Sequence, residues 1–503
     1  MVRLKNRFVC LSRPAFRVAL CCGAVLATAA SLPAALDWSS GAHTVNPGEN
    51  VQDNTITLGA GPVTIHGAEG GASGGVLQLN AGGSGLSLTG SLLLLNADPS
   101  QSGLVLLKGN VTNNNTSSIA SSGPGAVPGS VSLNGGTRTI NLASGELAIS
   151  ALIANGGLTK TGPAILALSG PNTFTGGITL NAGTIYINSA AAIGTGNFTV
   201  GGPGTAIDNT SGAPITLANN NQFNLSGGDL SFLGSNDLNL GTGSFVMSGA
   251  SARTINVANT AATLTIGGII SDNGGGVALT KNGPGTLVFG TPSVPGESNI
   301  YTGGTTVAAG TLRISAGAET GPGPVAVSAG ATLSNNGTVN GNLSVSGTVT
   351  GAGTVNGSLV VNAGGTVDVN GGTFTVNGGV TNNGLFILSN GAQIAGVTGF
   401  VNNGTLDLIT AGTFNPPNFT NNGTIINSSA VKTKSVSRAG GNFSVTIDSY
   451  TGHTYQLQKS ASPVANTFSN IGSSQQGTTG TVLTLTDSSA TASPSFYSIL
   501  VSP

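Results

Sequence analysis

The feature that most limits what this chain can fold into is repetition of a short strand-and-turn unit. From about Val51 to Ile426, short runs of alternating Val, Ile, Leu, Thr and Ser are broken every few residues by Gly, Asn-Gly or Gly-Gly. The runs are strand signals and the breaks are turn signals. Nowhere do apolar residues keep a helical spacing long enough for a helix, so the mature chain reads as all-β. Units this small cannot bury a face alone. They gain a core only by stacking on their neighbours, which makes a solenoid the architecture to expect.

The repetition has two scales. One is a duplication: GGLTKTGPAILALSGPNTFTGGITLNAGTIYI from Gly156 is answered by GVALTKNGPGTLVFGTPSVPGESNIYTGGTTVAAGTLRI from Gly276. Leu158, Thr159, Lys160, Gly162 and Pro163 match Leu279, Thr280, Lys281, Gly283 and Pro284, while Gly176, Gly177, Gly183 and Thr184 match Gly303, Gly304, Gly310 and Thr311. Upstream, Arg138-Thr139-Ile140-Asn141 answers Arg253-Thr254-Ile255-Asn256, so the large unit spans several solenoid turns. The smaller scale is an Asn-Asn-Gly motif at Asn335, Asn382, Asn402 and Asn421, the last three 20 and 19 residues apart. That interval fits one turn, with Gly and Asn at the positive-φ corners.

Composition agrees with stacking. Only 6% of residues are charged, although 38% are hydrophobic and 82 are glycine. Identical positions on successive turns lie about 4.8 Å apart, where like charges repel by roughly 0.9 kcal/mol even in water. Ser, Thr and Asn can form hydrogen-bonded ladders there instead. A charge-driven disordered chain would show the opposite balance.

Residues 1–31 read as a secretory signal: Arg3, Lys5, Arg7, Arg13 and Arg17, then the apolar run Val18 to Ala30, then a small-residue cleavage site. All three cysteines, Cys10, Cys21 and Cys22, lie within it, so disulfides and thiolate metal sites are not expected in the mature chain. Losing five of the 15 basic residues and none of the 16 acidic ones leaves a charge near −6. Nucleic acid is therefore not an expected partner. No later apolar run approaches the roughly 20 residues of a membrane crossing.

The expected organisation is a solenoid over residues 32–430, with repeats near 156–187 and 276–314, followed by a small β-sandwich module over 431–503. The last segment carries three of the five tyrosines, Tyr450, Tyr455 and Tyr497, and its strands from Phe443 and Thr454 alternate in the ordinary in-and-out way.

The blocks at Gly156 and Gly276 resemble the autotransporter-associated beta strand repeat. In that family a Leu-Thr-Lys-x-Gly segment leads through an Asn-x-Tyr/Phe-Thr-Gly-Gly turn to an Ala-Gly-Thr-Leu strand; here Asn172, Phe174, Thr175 and Gly176 fill one turn, and Tyr301, Thr302 and Gly303 the other. The resemblance implies a passenger-type right-handed parallel β-helix on an exported protein. The terminal SFYSILVSP departs from the many aromatic-rich strands of a translocator barrel, so the expectation here is a chain without its own barrel or sorting anchor.

β-Helices include polysaccharide lyases and hydrolases, and hydrolysis needs two carboxylates about 5 to 10 Å apart. The acidic residues are scattered, among them Glu69, Asp98 and Glu297, and are expected at solvated corners. Stacking brings only two pairs into consideration, Asp208 with Asp229 and Asp368 with Asp407. His43, His66 and His453 are far apart and are expected at the surface. Gly-rich strings such as the one from Gly70 lack a following Lys-Ser/Thr and read as turns. Lys160 and Lys281 read as strand-edge protection, Phe174 and Tyr301 as core or corner residues rather than sugar-stacking platforms, and Trp38 as part of an N-terminal cap.

No catalytic, cofactor-binding or metal site is expected, and no cofactor. The function expected is that of a secreted, noncatalytic structural or adhesive protein of a bacterial surface or matrix. Its expected partners are glycans, extracellular matrix or other cell surfaces, with self-association through Asn-rich ladders as a further expectation. The alternatives are a carbohydrate-binding or carbohydrate-active β-helix, and a passenger whose translocator is a separate chain.

Overall fold

The computed structural model describes residues 36–38, 42–46, 49–53, 55–58, 63–65, 76–79, 85–88, 91–95, 103–122, 128–291, 298–464, 467–490 and 495–502. The expected signal segment with its cysteines, His66, Glu69, Asp98, Glu297 and the string from Gly70 lie outside these residues. Every element in the described residues is a strand. Up to Ile426 every pairing is parallel, and the chain visits three ladders in fixed order before returning to the first one rung higher: a parallel β-solenoid.

The first ladder holds eleven strands from Leu36–Trp38 to Ile270–Ser271, and four more from Thr338–Val339 to Gln393–Ala395. The second is the longest, with eighteen strands from His43–Val45 to Phe419–Asn421. It is an open stack of roughly 80 Å at about 4.8 Å per rung. The third holds five strands from Asn50–Asp53 to Leu152–Ala154 and eleven from Ile215–Thr216 to Thr424–Ile426.

Side chains alternate along each strand, so one set fills the axis. On the first ladder Phe198, Phe223 and Phe245 stand in register, with centroids 5.0 and 6.3 Å apart and nearly parallel rings. Nearer the C-terminal end Phe374, Phe386 and Phe400, one from each ladder, meet on the axis at 6.4 and 5.4 Å. Truncating one such ring to Ala costs about 3–5 kcal/mol.

The Asn-Asn-Gly spacing does mark one turn: Asn382, Asn402 and Asn421 are in register on the second ladder. Asn382 Nδ2 donates to Asn402 Oδ1 at 2.8 Å and Asn402 Nδ2 to Asn421 Oδ1 at 2.7 Å, giving the amide ladder that stacking favours. Asn335 belongs to the third ladder instead, opposite Ile314. With no asparagine on the rung below, its buried Oδ1 has no partner.

From Thr433 the pairing becomes antiparallel. Thr433–Ala439, Asn442–Ser449 and Thr481–Asp487 form one sheet. Thr454–Ser460 is the centre of a second, with Phe496–Ser502 along it. Val445, Ile447 and Leu485 from the first sheet and Tyr455 and Leu457 from the second make their own small core. This is the small β-module expected at the C-terminus.

Candidate functional site

Two groups of residues were candidates for chemistry: those carried by the duplicated block, and the few acids and histidines that stacking brings together. The structure sends them to opposite fates.

Lys160 and Lys281 are not edge protection. Each occupies an inward position, in register with Ile140 and Leu180 in one copy and with Ile255 and Val307 in the other, and neither is exposed to solvent. Lys160 Nζ donates to the carbonyls of Thr161, Gly162 and Ala182 at 2.9, 2.7 and 3.0 Å. Lys281 Nζ repeats this on Asn282, Gly283 and Ala309 at 2.9, 2.8 and 3.0 Å. Three acceptors match the three donors of an ammonium. Desolvation pushes both ammonium groups down to about 8. The cradle explains one glycine of the motif: Gly183 has φ of 75°, and a Cβ there would sit 2.5 Å from Ala164 O, 2.6 Å from Gly162 O and 2.8 Å from Lys160 Nζ.

Asn172 and Asn299 act where the chain drops a strand. Ile153 N donates to Asn172 Oδ1 at 2.8 Å, and Asn172 Nδ2 donates to Ala192 O at 2.6 Å. In the second copy Ile270 N donates to Asn299 Oδ1 at 2.7 Å, and Asn299 Nδ2 to Glu319 O at 2.6 Å. One side-chain amide thus replaces a missing backbone rung. Phe174 and Tyr301 are fully buried, so neither offers a ring to a sugar. Tyr301 bonds its hydroxyl to Thr305, and burial pushes that phenol up to about 12; the first copy has Phe174 and Ile178 at these places, with no hydroxyl on either.

Asp208 and Asp229 are not brought together. Thr205 pairs with Leu230, which puts Asp229 beyond the opposite end of the strand from Asp208. Asp208 is buried and accepts the N–H groups of Asn209, Gly234 and Ser235 and the Ser235 hydroxyl. It is a turn cap, not a solvated corner. Asp272 is buried too, and although desolvation raises its pKa, bonds from Thr302, Gly274 and Val277 outweigh this and hold it below the ordinary carboxylate value.

The second pair does assemble. Asp368, Ile387 and Asp407 follow one another in register on the third ladder, so the two carboxylates flank one apolar side chain. The tight turn Thr451–Gly452 of the C-terminal module and His453 lie over this row, and Asn370 and Ser389 complete a cavity of about 330 Å³. His453 is not at the surface as expected: it is 2% exposed, and its Nε2 lies 2.7 Å from Asp407 Oδ2. This hydrogen bond joins solenoid to module. Asp407 Oδ1 accepts Ile409 N–H at 3.1 Å. His453 Nδ1, also buried, has no partner. Asp368 is half-buried, and among the described residues it makes no hydrogen bond; desolvation first and the Asp407 charge second raise its pKa.

The Asp–His pair lacks an engaged hydroxyl, because the remaining ring nitrogen is unpartnered, so no nucleophile is activated here in the manner of a hydrolase triad. Among the described residues no three His, Cys, Asp or Glu side chains are grouped to hold a metal ion. What the cavity does offer is a single carboxylate, Asp368, that makes no hydrogen bond among the described residues, beside the apolar Ile387. Register arithmetic from the 20-residue interval reaches Asp368, Ile387 and Asp407. No spacing signal leads to His453, 46 residues beyond Asp407 in a different kind of sheet.

Comparison with known proteins bears on the duplicated block. Residues 158–187 and 279–314 match the passenger-associated-transport-repeat family. The chain is 37% identical over 139 residues to the adhesin BmaC autotransporter of Brucella suis, a stretch that makes up 27% of this chain and 4% of that protein. The chain therefore carries two segments that match this repeat, each built into a parallel β-solenoid.

Proposed function

We propose that this protein is a noncatalytic component of the bacterial exterior, secreted or held at the cell surface, whose solenoid serves as an adhesive or structural rod. The likeness to an autotransporter adhesin carries this reading. It is supported by the burial of the largest polar and aromatic residues of the repeats: the motif spends Lys160, Asn172 and Phe174 on holding coils together, leaving outward rows rich in Ser, Thr and Asn to make weak, repeated contacts with glycans, matrix or neighbouring cells. Among the described residues no helix is long and apolar enough to cross a membrane, a statement that leaves β-barrels aside.

The test is retention of the purified full chain on immobilised polysaccharides and matrix proteins, with released reducing and unsaturated ends measured in the same tubes. Retention without release is the expected result. Release that disappears in Asp368→Asn or Asp407→Asn would favour the second reading, a carbohydrate-active β-helix, which the alignment of those two carboxylates supports.

A further inference from the structure

We propose that the C-terminal end of the solenoid is a self-association surface: it pairs with the same end of a second copy, joining two rods tail to tail. The last second-ladder strand, Phe419–Asn421, pairs with Gly399–Asn402 on one side, and among the described residues no strand pairs with its other side. Lower in the same column, Thr305, Val325 and Leu343 send their N–H groups up to the carbonyls of Pro324, Asn342 and Ser358, each at 2.8 Å. Phe419 tops that column, so its N–H and that of Asn421, two residues on, point at an empty rung. The axis is open there as well. Phe400 and Asn402 are fully buried, whereas Phe419 and Asn421, one coil higher, are exposed, Phe419 by 37%. Ile425 stands above the buried Leu406 and is partly exposed. Solenoid ends need covering, and native proteins blunt open edges with charge or proline. Only the first face is blocked here, by Pro416 and Pro417, and no residue from Leu408 to Val431 is charged.

The geometry selects a second copy as the occupant. The opposite end of the rod is covered: Trp38 and His43 stack at 4.8 Å with their rings 7° from parallel, and Val45 beside them is fully buried. A head-to-tail ladder therefore finds no matching open coil. The last strand is complementary to itself. With a two-fold axis through Thr420, Phe419 lies opposite Asn421 of the second copy, and each such pair exchanges N–H···O=C bonds in both directions. The inward side chains of both copies stay on the axis. Phe414, which packs on Phe400 and Phe419 at 5.4 and 5.3 Å and is partly exposed, is covered along with Ile425. A single extended peptide would pair with the strand and leave those two uncovered. The uncharged coil lets two copies meet without like-charge repulsion, and an isologous contact closes at two. The C-terminal module leaves the end free, because its turn at Thr451, Gly452 and His453 lies beside the third ladder, against Asp368, Ile387 and Asp407.

The experiment is sedimentation velocity on the full chain over a concentration series, paired with disulfide trapping. A monomer–dimer equilibrium is expected for the wild type. Thr420 is exposed and faces outward in the column of Thr381 and Val401, so it can be changed without touching the axis. Thr420→Lys sets like charges opposite each other across the two-fold axis and should weaken the dimer by about tenfold or more, with the melting temperature unchanged. The two Thr420 Cα atoms would lie about 4.5 Å apart, within disulfide reach. In a background carrying Cys10→Ser, Cys21→Ser and Cys22→Ser, Thr420→Cys should therefore yield a covalent dimer on mild oxidation, while Thr381→Cys, two rungs lower, should not. A chain that stays monomeric throughout overturns the proposal, as does a dimer that survives Thr420→Lys or fails to be trapped through Thr420→Cys. Growth beyond the dimer overturns it in favour of head-to-tail fibres. The adhesive reading is independent of all these outcomes, since it is tested by retention on surfaces.

Discussion

The two copies of the duplicated block share an interior and differ in where they stand. In the first copy the Lys-bearing strand Gly157–Thr161 lies on the first ladder and Ile165–Leu168 on the second, with Asn172 filling a gap in the third. In the second copy Ala278–Asn282 lies on the second ladder and Thr286–Phe289 on the third, and Asn299 fills a gap in the first. The whole motif has moved round by one face. It therefore encodes a corner: an ammonium under three carbonyls, and an amide in place of a rung. It does not encode a position on the rod, and equivalent residues of the copies cannot line up into one binding stripe.

If the motif is a self-contained corner, equal substitutions in the two copies should cost the same on different faces. The largest effect is expected for Lys160→Ala and Lys281→Ala, which leave three carbonyls unpaired and open a cavity, at about 3–5 kcal/mol each. Because solenoids unfold by neighbouring units, hydrogen exchange of flanking amides is the measurement that separates them; unequal losses would break the comparison. The pH dependence has a defined sign. A lysine held near 8 when folded and near 10.5 when unfolded leaves the unfolded chain with more bound protons between those values. Stability should rise with pH across that window in the wild type, and Lys→Met variants should lack this component.

Gly183→Ala and Gly310→Ala come next. Both backbones have positive φ, and each new Cβ would fall within 2.5 Å of a carbonyl oxygen, Ala164 O in one copy and Gly283 O in the other. A loss of about 2–3 kcal/mol in urea titrations is expected, above the usual cost of Ala at positive φ. Asn172→Ala and Asn299→Ala each orphan a buried N–H and a carbonyl and should cost about 2 kcal/mol; protection of the Ile153 and Ile270 amides from exchange should fall with them.

The smallest expected effect sharpens the one chemical difference between the copies. Tyr301→Phe strands the Thr305 hydroxyl and should cost about 1 kcal/mol. Adding Thr305→Ile rebuilds the Phe and Ile pair of the first copy and should recover most of the loss in a double-mutant cycle. No recovery would mean that the two corners differ in packing as well as in hydrogen bonding.

Much of this fold was legible in the residues. The alternation that makes Leu158 and Leu279 inward also makes Lys160 and Lys281 inward, two positions along the same strands, so the error over the lysines was one of chemistry: an inward period was set aside because the residue type is usually exposed. A turn that leaves three carbonyls converging on the axis is the circumstance in which that preference fails. The acid pairs show the complementary case. Both were identified by spacing, yet only Asp368 and Asp407 stack, because a one-turn interval aligns residues only where both coils have the same corner lengths.

The sequence by itself determined the all-β class, the size of a coil and which side of each strand faces the axis, because these follow from period-2 alternation and local turn chemistry. It could not determine which face each copy occupies. From Leu158 the first ladder returns at Ile178, Phe198, Phe223, Phe245 and Ile270, intervals of 20, 20, 25, 22 and 25 residues, and a face assignment is the running total of such unequal turns. Nor could it bring His453 to Asp407. That contact depends on how a separate antiparallel module seats on the solenoid, a long-range packing decision written in no local pattern of either partner.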